Sequence, residues 1–105
     1  CGIVGYVGKK DVTPILLTAL KRLEYRGYDS CGVGIVSCKD GRLYVQKTPG
    51  KINNLVNILK EKPLPIGHVG LSHTRWATHG KPTKINAHPH ADVSGKILIV
   101  HNGII

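Results

Sequence analysis

The sequence has no methionine, no phenylalanine and only one tryptophan. A core without phenylalanine has to be built from Ile, Leu and Val, and at 105 residues the chain forms one domain or less. No apolar run approaches the ~20 residues that span a bilayer. No charged leader precedes an apolar segment either. The sequence therefore predicts neither a membrane span nor a signal peptide.

Acidic residues are scarce, because six Asp and Glu stand against 15 Lys and Arg and give a formal net charge of +9. Such a positive charge is typical of proteins that bind nucleic acid. The basic residues are scattered, however, with Lys9-Lys10 and Lys21-Arg22 the only adjacent pairs. No aromatic residues alternate with them to form a stacking platform. We expect no nucleic-acid partner, and a basic nucleic-acid-binding module is kept as an alternative.

Cysteine occurs three times, at Cys1, Cys31 and Cys38. An odd number without paired spacing argues against a disulfide framework and favours a reducing, cytoplasmic location. Cys31 and Cys38 fall in or beside a predicted buried strand, so we expect both to be inert core thiols.

Hydrophobic patterning predicts an α+β chain with strands and helices in succession. Helical spacing of apolar residues predicts one helix capped by Asp11 and another that starts near Ile52 and ends before Pro63. The turn Lys39-Asp40-Gly41 predicts a hairpin. Strands are expected over 1–8 (buried), 32–37, 42–48, 69–75 and 96–100. Residues 77–95 are predicted to form a long loop, a kind of segment that is often functional.

An N-terminal Cys1 combines a thiol nucleophile and a free α-amine on one residue. The α-amine has an unperturbed pKa of about 7.7–8.0, so part of it is neutral near pH 7 and can accept the thiol proton. We expect an initiator methionine or a pro-segment to have been removed to expose it. An arbitrary start of the chain is the alternative, and a lipid-anchor cysteine is disfavoured because no flexible tether follows.

Acyl transfer by such a thiol also needs oxyanion donors and groups that hold the substrate. The Asn102 side-chain amide and the Gly103 backbone N–H can supply the donors, although Asn-Gly after a strand is also a common turn. Arg75 can clamp a carboxylate with two hydrogen bonds, with Thr78 and His79 adding others. A surface ion pair is the alternative for Arg75.

Trp76 either packs in the core or against a loop, or forms part of a lid beside Arg75. Four of the six histidines, His73, His79, His88 and His90, lie close in sequence. They lack the spaced Cys and His pairs of a zinc site. We therefore expect no metal and no cofactor, and loop histidines that hydrogen-bond to the backbone.

Four separated segments together resemble one family, the glutamine–fructose-6-phosphate aminotransferases (isomerizing), also called glucosamine-6-phosphate synthases. The resemblance is to their N-terminal glutaminase domain and runs from end to end of the chain. The segments are Cys-Gly-Ile-Val-Gly-Tyr-Val-Gly (1–8), Leu-Lys-Arg-Leu-Glu-Tyr-Arg-Gly-Tyr-Asp-Ser-Cys-Gly (20–32), His-Thr-Arg-Trp-Ala-Thr-His-Gly (73–80) and His-Asn-Gly-Ile-Ile (101–105). The second and third differ from the related phosphoribosyl-pyrophosphate amidotransferases.

The resemblance implies part of an N-terminal-nucleophile hydrolase fold, an αββα four-layer sandwich. It implies that Cys1 attacks the glutamine side-chain amide and that Asn102 and Gly103 form the oxyanion hole. Arg75, Thr78 and His79 match the family's loop that binds the glutamine α-carboxylate. Trp76 matches a residue that directs ammonia out of the site. Arg26 and Gly27 match the loop that positions the N-terminus.

The resemblance further implies that residues 1–105 are the N-terminal portion of a type 2 glutamine amidotransferase domain, without the sugar isomerase domain. The implied partners are glutamine and, through the missing domain, fructose 6-phosphate, in a homodimeric parent enzyme that makes glucosamine 6-phosphate and glutamate. The carboxylate that holds the substrate α-amino group comes after residue 105, so we expect these residues alone to be inactive. A non-catalytic fragment that pairs with the full-length enzyme is the other alternative.

Overall fold

The computed structural model describes residues 2–76 and 81–102, and only the backbone of Arg26. These residues form β1 (Gly2–Val7), α1 (Val12–Arg22), a 3-10 helix (Glu24–Arg26), β2 (Ser30–Ser37), β3 (Leu43–Pro49), α2 (Ile52–Glu61), β4 (Gly67–Arg75), β5 (His90–Ala91) and β6 (Leu98–Ile99). The predicted α+β class is confirmed. Within the described ranges, no helix has the length and apolar character needed to cross a membrane.

Strands β1, β4, β2 and β3 pair in that order into one antiparallel sheet, the main sheet. β4 lies between β1 and β2 and pairs with both. The register places Gly2 opposite Thr74, and Thr74 opposite Cys31. The start of β1 therefore lies beside the end of β4, although the two are more than seventy residues apart in sequence.

The inner face of the main sheet packs against α1 and α2. Val33 and Ile35 of β2 are buried there with Leu16 of α1 and Leu55 of α2. Burying one such side chain contributes about 1.5–3 kcal/mol. The core cluster is almost entirely aliphatic, as the absence of phenylalanine predicts; its buried members are Val12, Leu16, Leu20, Tyr28, Cys31, Val33, Ile35, Ile52, Leu55 and Leu59.

The opposite, outer face of the main sheet carries the segment 87–98. Glycine lets that segment approach the sheet closely. A Cβ on Gly32 would lie 2.1 Å from the backbone carbonyl oxygen of His88. A Cβ on Gly34 would lie 2.5 Å from the Leu98 Cδ1 atom. Both distances are shorter than van der Waals contact. The His88 backbone leaves no room for a side chain at Gly32, whereas the end of the Leu98 side chain would have to shift to admit one at Gly34.

The buried strand predicted over 1–8 is wrong in one respect, because β1 alternates between buried and exposed residues. β1 is an outermost strand of the main sheet. Its outer-face residues Ile3 and Val7 are 46% and 81% exposed, and Val69 of β4 beside them is 41% exposed. The cause is that segment 87–98 covers only part of the outer face.

Several smaller expectations also fail. Asp11 occupies the N-cap position of α1 with extended backbone angles, but its side chain makes no capping hydrogen bond. Cys38 is exposed because it follows the last residue of β2 and enters the hairpin turn, whereas Cys31 is buried as predicted. The strand predicted over 96–100 is reduced to β6, and β5 lies within the predicted loop.

Tyr28 connects the 3-10 helix to α2. Its buried hydroxyl donates to the Glu24 carboxylate at 2.8 Å and accepts the Ile52 backbone N–H at 2.9 Å. That N–H belongs to the first turn of α2, where the helix itself provides no acceptor. Burial raises the pKa of Tyr28 to about 12, so the hydroxyl stays protonated and keeps both bonds. Tyr28 thus holds the 24–28 segment in place.

Replacing Gly32 with Ala should lower the free energy of unfolding by about 1–3 kcal/mol, the usual cost of overpacking. The new methyl group would collide with the backbone of His88, which cannot rotate away. Gly5→Ala is the matched control, since Gly5 is on the same outer face and no atom lies within 4 Å of its Cβ position. Guanidinium unfolding of both variants measures the difference, and equal losses would contradict the proposed contact.

Tyr28→Phe should lower the free energy of unfolding by about 1–3 kcal/mol, because it leaves the Ile52 N–H and the Glu24 carboxylate without their partner. The ring, and hence the packing, is kept. Tyr44→Phe removes an exposed hydroxyl bond to Asp40 of the same 2.8 Å length and should cost much less. A thermal melt of both variants distinguishes a buried structural bond from a surface one.

Candidate functional site at the end of the main sheet

The start of β1 and the end of β4 meet at one end of the main sheet. A Cβ on Gly2 would lie 2.6 Å from Leu23 Cδ1 and 3.1 Å from Thr74 Oγ1, so the backbone is packed tightly there. Cys1, the predicted nucleophile, lies outside the described residues. Cys1 is covalently bonded to Gly2, so we locate the site by the position of Gly2 beside Thr74.

The turn after the 3-10 helix reaches the same end of the main sheet. Gly27 has a φ of 77°, and its Cβ position lies 3.6 Å from the Trp76 ring. The Asp29 N–H donates to the Arg75 carbonyl at 2.8 Å. The structure therefore brings Gly27, Arg75 and Trp76 together. Arg26 precedes Gly27 directly, in the last position of the 3-10 helix.

Arg75 ends β4 and braces the segment that follows. One guanidinium nitrogen donates to the Lys81 carbonyl at 3.2 Å, and the Asn86 side-chain amide donates to the same oxygen at 3.0 Å. Thr78 and His79, the other predicted substrate-binding residues, lie outside the described residues. Trp76 is 55% exposed, which excludes a core role for it within the described structure.

Asn102 joins the site through His73. The His73 ring is fully buried, and its Nε2 lies 2.6 Å from Asn102 Oδ1. His73 occupies the register position opposite Ile3, one row from Gly2. Asn102, which is exposed, is thereby attached to the strand that flanks the chain start. Gly103, its predicted partner in the oxyanion hole, lies outside the described residues.

Three histidine rings lie in contact beside this bond. His73 and His88 have ring centroids 4.3 Å apart and planes at 27°, and His90 lies 4.3 Å from His88 at 55°. The His101 N–H donates to His88 Nδ1 at 3.3 Å, which confirms for His88 the expected bond to the backbone. Burial is the main cause that lowers the pKa of all three rings, that of His88 to about 4. These shifts favour the neutral form of all three rings.

His73 and His88 are stacked, and His90 is tilted against His88. No group of three or more His, Cys, Asp or Glu side chains that could hold a metal ion occurs within 2–76 and 81–102. Cationic neighbours surround the histidines, since Lys47 and Arg75 both lower the pKa of His88 and His90.

Lys47 is a structural residue of the site that the sequence did not reveal. Its ammonium group donates to the carbonyls of Ala87 at 2.9 Å and Pro89 at 3.1 Å, and so fixes the His88 segment to the main sheet. Burial lowers the pKa of Lys47. Lys47 lies opposite Gly32 in the register. Lys47 binds the His88 segment, and the neighbouring Gly32, which has no side chain, leaves room for it. Only the register, which the sequence does not supply, could have identified it.

Comparison with known proteins gives relatives along the whole chain, although no family model matches it. The glutamine–fructose-6-phosphate aminotransferase (isomerizing) of Aquifex aeolicus is 58% identical over 105 residues, and those of Bacteroides thetaiotaomicron and Pyrococcus horikoshii are 55% and 53% identical. Each alignment covers 100% of this chain and 17% of the relative. The chain thus spans about one sixth of the length of these proteins.

A solved structure has the same fold. It is a glutamine phosphoribosylpyrophosphate amidotransferase from B. subtilis, with a TM-score of 0.70 and 23% identity, covering 86% of this chain and 18% of that one. The described residues accordingly share part of the fold of that amidotransferase, one sheet with its helix layer. The identities above show that the chain belongs to the glutamine–fructose-6-phosphate aminotransferase (isomerizing) family.

Proposed function

We propose that this chain supplies the nucleophile and the oxyanion donors for hydrolysis of the glutamine side-chain amide. One observation carries the proposal. The start of β1, the end of β4, the Gly27 turn and Asn102 all converge at one end of the main sheet, although they come from four distant parts of the sequence. These parts contain the residues that match the family's glutaminase site.

The reaction proceeds through a thioester on Cys1. The thiol attacks the amide carbon, and its proton passes to the Cys1 α-amine. Asn102 Nδ2–H and the Gly103 N–H donate to the oxyanion. The amine then protonates the amide nitrogen, the C–N bond breaks and ammonia leaves. Water attacks the thioester, releases glutamate and restores the thiol.

The substrate is held by its α-carboxylate. Arg75 is the cation at the site whose fork geometry suits a carboxylate, and Thr78 and His79 add hydrogen bonds from the following loop. Trp76 covers the site and directs the released ammonia, while Arg26 and Gly27 keep the chain start in position. The bond from Arg75 to the Lys81 carbonyl supports this role, because it braces the loop at its far end.

The activity of the whole protein is part of the same proposal. The relatives named above are aminotransferases that carry fructose 6-phosphate in their names, so we assign to the complete protein the transfer of glutamine nitrogen to fructose 6-phosphate, giving glucosamine 6-phosphate. Residues 1–105 then form the N-terminal portion of the glutaminase domain, and the isomerase domain lies elsewhere. A homodimer and a cytoplasmic location remain predictions, the latter supported by the free thiols of Cys31 and Cys38.

Covalent labelling tests the proposal. Protein whose first residue is Cys1 is treated with 6-diazo-5-oxonorleucine, a glutamine-like electrophile, and analysed by peptide mass spectrometry, with glutamate release from glutamine measured in parallel. We expect labelling at Cys1 alone, suppressed by excess glutamine and absent in Cys1→Ser.

The chain contains its own controls for this labelling. Cys38 is exposed and reports non-specific alkylation. Cys31 should stay unmodified, because burial raises its pKa to about 12 and keeps the thiol protonated. Equal labelling of Cys1 and Cys38, or labelling unaffected by glutamine, would overturn the proposal. Labelling of a longer protein but not of the 105-residue chain would confirm that these residues alone are inactive.

A further inference from the structure

An asparagine in an oxyanion hole has to present the correct end of its amide. Only the NH₂ group donates, whereas Oδ1 is an acceptor that repels an oxyanion. Asn102 is exposed, so solvent would stabilise either orientation of an unrestrained amide equally well. Some interaction has to select the orientation with Nδ2 toward the substrate.

The His73 ring provides that interaction. Nε2 lies 2.6 Å from Asn102 Oδ1, a length typical of a strong hydrogen bond, and the acceptor oxygen requires the proton to be on Nε2. The other ring nitrogen, Nδ1, is buried and has no hydrogen-bond partner among the described residues, as befits the unprotonated nitrogen. Burial lowers the pKa of His73, although its hydrogen bonds to Asn102 and to the His101 backbone act in the opposite direction, and so favours the neutral ring.

The His88 ring acts on the residue just before Asn102. It stacks on His73 at 4.3 Å, and its Nδ1 accepts the His101 backbone N–H at 3.3 Å. The two stacked rings therefore hold the backbone of one residue and the side chain of the next. A shift of either ring would move Asn102 relative to the chain start.

Residues of the main sheet hold the rings of His73 and His88 in place. His73 belongs to β4, the strand that pairs with β1 and β2. His88 is held by the two Lys47 bonds to its neighbours Ala87 and Pro89, and by the contact of its own carbonyl with Gly32. The position of Asn102 is thus built on strands and not on the loop that carries it, which is how a precise site is made.

We propose that His73 and His88 form a positioning pair for the oxyanion donor, in which His73 Nε2–H holds Asn102 Oδ1 so that Nδ2 faces the reacting amide. The inference rests on the proposed glutaminase function. His73 is a positioning residue here, since it acts through Asn102 and does not contact the substrate.

Substitution of His73 tests the pair in the full-length protein. His73→Phe should lower kcat for glutamate release by about tenfold to a hundredfold, part of the loss caused by removing an oxyanion donor. KM should change by less than about threefold, because the donor acts in the transition state. His73→Gln should recover much of the activity, since its amide N–H can donate to Asn102. His68→Phe, at the other end of β4, is the matched control.

A double-mutant cycle shows whether His73 acts through Asn102. His73→Phe combined with Asn102→Ala should be no slower than Asn102→Ala alone. Full additivity of the two losses would overturn the pair, as would equal kcat in His73→Phe and His68→Phe. Absence of glutamate release by the unsubstituted protein would instead overturn the proposed function, and this inference with it.

The ring nitrogens of His73 give a readout that needs no activity. Nitrogen chemical shifts distinguish the two neutral tautomers of histidine, and we expect the Nε2–H form. An Nδ1–H form would reverse the bond, turn the amide of Asn102 around and overturn the proposal, whatever the kinetics show.

Acid should weaken the pair through His88. This ring faces four groups that are cationic or can become so, His73, His90, Lys47 and Arg75, and its pKa lies below that of an unfolded histidine, near 6.5. The unfolded chain therefore binds more protons, and stability should fall as the pH drops from about 6.5 towards 4.

His88→Asn should reduce this pH dependence. Its side-chain oxygen can still accept from the His101 N–H, but it does not titrate. Guanidinium unfolding at pH 7 and pH 4.5 measures the difference, with His68→Asn as the matched control. An unchanged difference between the two pH values in His88→Asn would show that His88 does not hold this segment as a neutral acceptor.

Discussion

The antiparallel pairing of β1 with β4 is the constraint on which the site depends. It places Gly2 against Thr74 and Ile3 against His73, so that one short strand carries the chain start to the residues that end β4. Pairing of β4 with β2 on its other side then fixes Cys31 and Gly32 in the same rows. These paired residues fix the positions of the other site residues. Arg75 and Trp76 directly follow Thr74, and Asn102 is hydrogen-bonded to His73.

Local features of the fold could be predicted, and non-local ones could not. Helical periodicity predicted α1 and α2, and a Lys-Asp-Gly turn predicted the β2–β3 hairpin, because each depends on neighbours in sequence. The strand order of the main sheet pairs residues far apart, and apolar patterning does not specify which strands become neighbours. The same reason explains the error on β1, whose patterning is that of a buried strand although it is an outermost one.

The candidate site divides in the same way. The resemblance predicted Gly27, Arg75, Trp76 and Asn102, because these residues lie in recognisable segments, and the structure brings them to one end of the main sheet. It did not predict that His73 bonds to Asn102, since this contact joins residues 29 apart in sequence. Nor did it predict that Lys47 binds the His88 segment, a role that depends on the position of Lys47 opposite Gly32 in the sheet. Exposure of Cys38 depends on where β2 ends, which patterning locates only within a few residues.

Trp76 has a consequence for observing the site in solution. It is the single tryptophan of the chain, more than half exposed and packed by its ring edge over Gly27. Its indole emission therefore originates from this one place, at the junction of β4 and the following loop. The chain thus carries a native fluorophore beside its candidate site. Any event that changes the solvent exposure of the indole shifts its emission maximum, so the event can be followed without an added dye.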